Sequence, residues 1–145
     1  MHDLPRQLTV DQLSDLFEGR TALVDRLVAR ADPLGVADDV VAEMSEKAKL
    51  EALNAHPAIG AQRLSARSAS EQGGDDDPAT LATLDELNRE YERRFGFRFV
   101  VFVNRRPKSA IVPVLRERLQ RTREQELDTA VHELVAIARD RWRRG

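Results

Sequence analysis

Apolar residues recur at threes and fours along most of this chain, the period of helices that bury one face. Leu13, Leu16 and Phe17 do so behind Thr9, whose hydroxyl suits an N-cap, and Gly19 ends the run. Leu23, Leu27 and Val28 predict a second helix over 21–31, with Pro33 beyond its end. Val36, Val40, Val41, Met44, Ala48 and Leu53 predict a third over 36–54. Asn54 and Pro57 close it, because a residue before proline is pushed away from αR geometry. Asp77 followed by Pro78 is a start signal: a capping carboxylate, then a ring whose missing N–H would have been unpaired anyway. Leu81, Leu84, Leu87, Tyr91 and Phe95 form one stripe of a long helix ending near residue 95. A further helix is predicted over 109–121, and Thr122 with Gln125 has the spacing of a capping box. The last stripe is Leu127, Val131, Leu134, Val135, Ala138 and Trp142.

Two stretches break this period. Residues 57–77 hold three glycines and "DDDP", leaving room only for a short helix around Ser68 to Gln72. "FGFRFVVFV", residues 95–103, alternates aromatic and β-branched residues and has strand propensity, yet no partner strand exists to complete its ladder. It reads as a buried extended segment ending at Asn104; the alternative is the C-terminal half of a helix packed on all sides. The fold class expected is all-α: a compact single-domain helical bundle over 1–145 with one buried extended segment near 97–104.

Composition changes this picture mainly by exclusion. A chain of 145 residues, 41% apolar and 33% charged, has the balance of a globular domain large enough to bury a core. Its net charge of −2 speaks against broad nucleic-acid or anionic-membrane binding. There are no cysteines, which removes disulfides, thiolate catalysis and cysteine zinc sites. No apolar run reaches membrane-spanning length, and the start lacks a signal-peptide layout, so a cytoplasmic location is expected.

Candidate chemistry gathers in the irregular stretch "LNAHPAIGAQRLSARSASEQGG", residues 53–74. Of the three histidines, His2 lies at the chain end and His132 beside an apolar stripe. His56 closes a helix immediately before Pro57, and an imidazole titrating near 6.5 can both take and return a proton. On spacing alone, a histidine before proline more often has a structural role. Ser68, Glu71 and Gln72 share one face if their segment is helical, offering a hydroxyl, a carboxylate and an amide. Ser-x-x-Glu is also a capping box, which would account for Ser68 and Glu71 without any ligand. No His-x-His or His-Glu-x-x-His occurs, so no metal site is expected, and "GAQRLSARS" lacks the ending of a phosphate loop. "NRRPK", residues 104–108, is a small basic turn.

Four blocks in order, "AHPAIG", "SASEQG", "LNREYERRFGFRFVVFV" and "SAIVPVLRERLQRTREQELDTAVHELVAIARDRW", resemble the 2-oxo-4-hydroxy-4-carboxy-5-ureidoimidazoline (OHCU) decarboxylases of urate breakdown. The resemblance covers roughly residues 48–142, with a weaker echo in "FEGRTALV". It implies an all-helical enzyme that uses no cofactor, acts on the small molecule OHCU to give (S)-allantoin, and forms a homodimer. By position, His56 resembles the catalytic acid/base, Glu71 its catalytic partner, Pro57 the turn, and Ser68 and Gln72 substrate-binding groups. The main chain of Phe99, Val100, Val101, Phe102, Val103 and Asn104 resembles the strip that hydrogen-bonds the ring.

The departures are local. Asn104 stands where several family members carry arginine, with Arg105 and Arg106 beside it, and the family's early Ser-x-Trp and Arg-Pro-Phe features are not evident. Two alternatives stand beside the decarboxylase: a divergent paralogue acting on another ureido or imidazoline acid, and a helical interaction module in which His56 and Glu71 only cap helices.

Overall fold

The computed structural model describes residues 7–56 and 77–144. Among them lie seven helices: α1 (Val10–Leu16), α2 (Ala22–Val28), α3 (Ala37–Glu43), α4 (Glu46–Asn54), α5 (Pro78–Phe95), α6 (Lys108–Arg118) and α7 (Arg123–Arg144). α7 is the axis of the assembly, touching α1, α3, α4 and α5, while α5 and α6 pack on each other. Its stripe of Leu127, Val131, Leu134, Val135 and Ala138 is buried as predicted, and Trp142 is half-buried. None of the described helices is long and apolar enough to cross a membrane.

The helix starts follow the capping chemistry. Thr9 and Gln12 form a reciprocal cap, with amide-to-side-chain bonds of 2.9 and 3.1 Å. Asp77 Oδ2 accepts from the Thr80 amide at 3.2 Å ahead of Pro78. Thr122 and Gln125 repeat the reciprocal cap before α7, both bonds 3.1 Å. α5 ends on Gly96, whose φ of 82° is the left-handed region that favours glycine.

Three predicted boundaries change. α2 stops at Val28 because residues 32–36 form a turn, in which Asp32 Oδ1 accepts from the Gly35 amide at 3.2 Å. The single helix predicted over 36–54 is two, α3 and α4. Met44 turns extended at ψ 153°, and the Ser45 hydroxyl accepts from the Ala48 amide at 3.2 Å, so a new helix starts there. α6 runs Lys108–Arg118 instead of 109–121.

Residues 97–103 are neither helix nor strand, which selects the non-helical reading of "FGFRFVVFV". Phe97, Phe99, Val100, Val101 and Val103 are buried there. A buried main chain must find partners for its N–H and C=O groups, and here side chains supply them. Arg118 Nη1 donates to the Val100 carbonyl at 2.7 Å. Glu133 Oε1 accepts from the Phe102 amide at 3.3 Å. Arg106 folds back to donate to the carbonyls of Phe102 and Val103, at 2.7 and 2.9 Å.

The strip is clamped by one buried cluster. Glu126 is 0% exposed, and its Oε1 accepts from both Tyr91 Oη and Arg118 Nε at 2.7 Å. Arg121 Nη1 donates to its Oε2 at 2.9 Å. The Arg118 guanidinium also lies 4.6 Å over the Phe99 ring, a cation–π contact. Burial, and then the hydrogen bond to Glu126, push the Tyr91 phenol well above its usual range. One carboxylate thus joins α5, α6, α7 and the strip.

Breaking a buried ion pair leaves an uncompensated charge and costs about 3–5 kcal/mol. Glu126→Gln is therefore expected to lower unfolding stability in guanidinium by about that much; a loss under ~1 kcal/mol would contradict the clamp. Gly96→Ala, whose new Cβ meets nothing within 4 Å, should cost only the conformational ~1 kcal/mol, read in the same titration.

Candidate functional site

α4 runs out at Asn54, yet its last turn still holds the histidine that follows. The Ala55 amide donates to Glu51 O and the His56 amide to Leu53 O, both at 3.2 Å. The strip is tied to this helix end twice. Arg98 Nη1 donates to the His56 carbonyl at 2.7 Å, and the Arg98 amide donates to Asn54 Oδ1 at 3.2 Å. On another side the α1–α2 turn closes in: a Cβ on Gly19 would lie 3.9 Å from Ala55 Cβ. Glu51 Oε1 accepts from the Ala22 amide at 2.7 Å.

His56 is consequently 7% exposed, and its buried Nδ1 has no hydrogen-bond partner among the described residues. Burial pulls its pKa down to about 4, Arg141 and Arg98 press in the same direction, and Glu18 opposes them. At neutral pH the imidazole is uncharged. An uncharged imidazole can take a proton, and a pKa this low returns it readily.

The remaining predicted site residues fall into two groups. Pro57, Ser68, Glu71 and Gln72 lie outside the described residues. The strip from Phe99 to Val103 is described, and its main chain is partly committed: the carbonyls of Val100, Phe102 and Val103 and the amide of Phe102 are bonded by side chains. No hydrogen bond among the described residues uses the N–H or C=O of Val101, which is 7% exposed. Asn104 is exposed in a tight turn, where it and Arg105 have φ of 50° and 62°. Arg106 is spent on the strip itself.

His132 behaves as a boundary residue. Its Nδ1 is 2.7 Å from Asp38 Oδ1, and Arg139 Nη1 holds the other oxygen at 2.8 Å. For Asp38, burial disfavours the charge, but the bonds with His132 and Arg139 outweigh it and keep the carboxyl below its usual value. No group of three or more potential metal ligands occurs among the described residues.

Sequence reasoning did not single out Arg98, Arg141 or Glu18. Two of them carry a signal in retrospect. Arg98 is the one charge inside an apolar run, and Arg141 continues the buried stripe Leu134, Ala138 at a spacing of three. Nothing local marks Glu18.

A family model described as OHCU decarboxylase matches residues 2–143. A 2-oxo-4-hydroxy-4-carboxy-5-ureidoimidazoline decarboxylase of Halalkalicoccus jeotgali is 27% identical over 150 residues, 95% of this chain and 85% of that protein. The uric acid degradation bifunctional protein PucL of Bacillus subtilis is 28% identical over 97% of this chain, which spans 31% of PucL. An OHCU decarboxylase crystallised in the presence of (S)-allantoin shares the fold, with a TM-score of 0.76, 22% identity, and coverage of 90% of this chain and 94% of that one.

A histidine buried in its neutral form makes stability depend on pH. The unfolded chain binds the His56 proton near 6.5 and the folded chain near 4. Between those values the unfolded state holds more protons, so stability is full above about 6.5 and falls on acidification toward about 4. The complete effect is on the order of 3 kcal/mol. Wild type should therefore lose more stability than His56→Asn between about pH 7 and about pH 4.5, read by denaturant midpoints. Equal losses would show that the imidazole is not held neutral.

Proposed function

The chain belongs to the OHCU decarboxylase family, and from that premise we propose that it converts OHCU to (S)-allantoin in urate breakdown, with His56 as the group that moves the protons. The observation that carries this reading is the nearly fully buried His56, neutral at physiological pH and strapped to the strip by Arg98.

The substrate carries its own electron sink. Its carboxylate lies next to a C=N bond, so when the carbon–carboxylate bond breaks the electron pair moves into the ring and onto that nitrogen, which takes a proton from solvent. The enol left behind must lose its hydroxyl proton and gain one on the neighbouring ureido-bearing carbon. A neutral His56 accepts the first proton and returns it to one face, which makes the product one-handed. Metal or pyridoxal chemistry is unnecessary for those steps, because the ring itself holds the electrons.

By family resemblance, Glu71 partners the histidine, Pro57 shapes its turn, and Ser68 and Gln72 hold the ring. The strip from Phe99 to Asn104 supplies main-chain contacts, with the N–H and C=O of Val101 as the groups best suited to a ligand. The same reading carries a single domain working as a cytoplasmic homodimer.

A related ureido or imidazoline acid is a second reading, favoured by Arg106. The guanidinium beside Asn104 is turned onto the carbonyls of Phe102 and Val103.

OHCU generated enzymatically from urate should decay faster with the protein than without it, yielding allantoin with a single-signed circular dichroism. His56→Asn should lower kcat/KM by about 10²–10⁴ with helicity retained. Racemic allantoin formed at the spontaneous rate would refute the OHCU assignment, and faster turnover of a related acid would support the second reading.

A further inference from the structure

Among the described residues, His56 is held by its main chain. Its amide donates to the Leu53 carbonyl at 3.2 Å and its carbonyl accepts from Arg98 Nη1 at 2.7 Å, whereas the buried ring Nδ1 has no partner among them. The peptide unit that follows joins His56 to a proline. It therefore carries no N–H, and a hydrogen bond can hold it only at its oxygen. Arg98 takes that oxygen, and the Arg98 amide donates to Asn54 Oδ1 at 3.2 Å. The two bonds together strap the end of α4 to the head of the strip. Stability explains the strap poorly. The Arg98 side chain is 39% exposed and Asn54 is exposed, and a hydrogen bond that water can replace contributes little net free energy. What the strap does fix is where the imidazole stands relative to the strip.

We propose that Arg98 and Asn54 are positioning residues, a strap that keeps the His56 imidazole on one face of a ring held against the strip. This rests on the reading of His56 as the proton-moving group. Loss of the carboxylate depends little on where the imidazole stands, because the electron pair moves into the ring. Return of a proton to carbon depends on it closely. A donor displaced by about 1 Å loses on the order of 10² in rate, and solvent then protonates either face. The strap therefore governs the handedness of the product more than the consumption of substrate.

The test measures OHCU consumption and the enantiomeric excess of allantoin together, at protein concentrations where the catalysed flux dominates the spontaneous one. Arg98→Met keeps an apolar stem and removes the donors. It should leave KM within about twofold of wild type, lower kcat by less than about tenfold, and cut the enantiomeric excess by about half or more. Asn54→Leu, which removes the acceptor, should act in the same direction. Arg98→Lys and Asn54→Asp keep a donor and an acceptor, and should restore most of the excess. A merely structural pair loses active protein instead: turnover falls, the product stays one-handed, and Arg98→Lys and Arg98→Met behave alike. That pattern would overturn the proposal. Should Arg98→Met fail to fold, the contrast between Asn54→Leu and Asn54→Asp still decides it. Amide hydrogen exchange reads the strap without any substrate. The Arg98 amide should exchange about tenfold faster in Asn54→Leu than in wild type, and unchanged exchange would overturn the strap. Failure of the substrate assignment is read separately, as wild type that leaves OHCU to its spontaneous decay.

Discussion

A stretch of non-helical main chain buried inside a helical protein is the constraint from which the rest of this structure follows. Residues 97–103 have no strand to pair with among the described residues, and buried amides and carbonyls left unpaired are costly. The solution is a set of long polar side chains reaching inward: Arg118 to Val100, Glu133 to Phe102, and Arg106 to Phe102 and Val103. Guanidinium groups suit the task because their donors form a rigid fork. Burying Arg118 then demands an anion, which Glu126 supplies, and Glu126 in turn recruits Tyr91 and Arg121. The polar interior of the α5–α6–α7 region is thus a consequence of the strip.

The same constraint organises the candidate site. Arg98, at the head of the strip, takes the carbonyl of His56, while Asn54 takes the amide of Arg98. The end of α4 and the strip are fixed relative to each other by two hydrogen bonds, each between a side chain of one and the main chain of the other. His56 is left deep enough to be uncharged, chiefly because of its burial. A base in that setting is available at neutral pH, and once protonated it is under pressure to give the proton back. That pairing of properties is what a reaction with one proton taken and one delivered requires.

Much of the fold was legible because capping residues announce themselves. Thr9, Asp77–Pro78 and Thr122–Gln125 mark boundaries by chemistry that acts within a few residues. The break at Ser45 was hidden because Met44, Ala48 and Leu53 keep helical spacing across it, and periodicity is blind to a cap that leaves the buried face in register. At the site, the position of His56 at a helix end was legible, whereas its depth was not. Depth comes from the α1–α2 turn and α7, which are remote in sequence. For the same reason Glu18 was invisible, and the salt bridge it makes with Arg141 joins opposite ends of the chain, although Arg141 itself continues the buried stripe of its helix. The identity of the strip's holders was equally tertiary information, although an arginine amid aromatics hinted that Arg98 had an inward task.

The central claim is spatial, that ligand, imidazole and strip meet in one place. A crystal structure of this protein with (S)-allantoin bound tests it most directly. The account predicts the product within hydrogen-bond distance of a His56 ring nitrogen and of the Val101 main chain. A product molecule bound away from both, with His56 still enclosed and untouched, would contradict it.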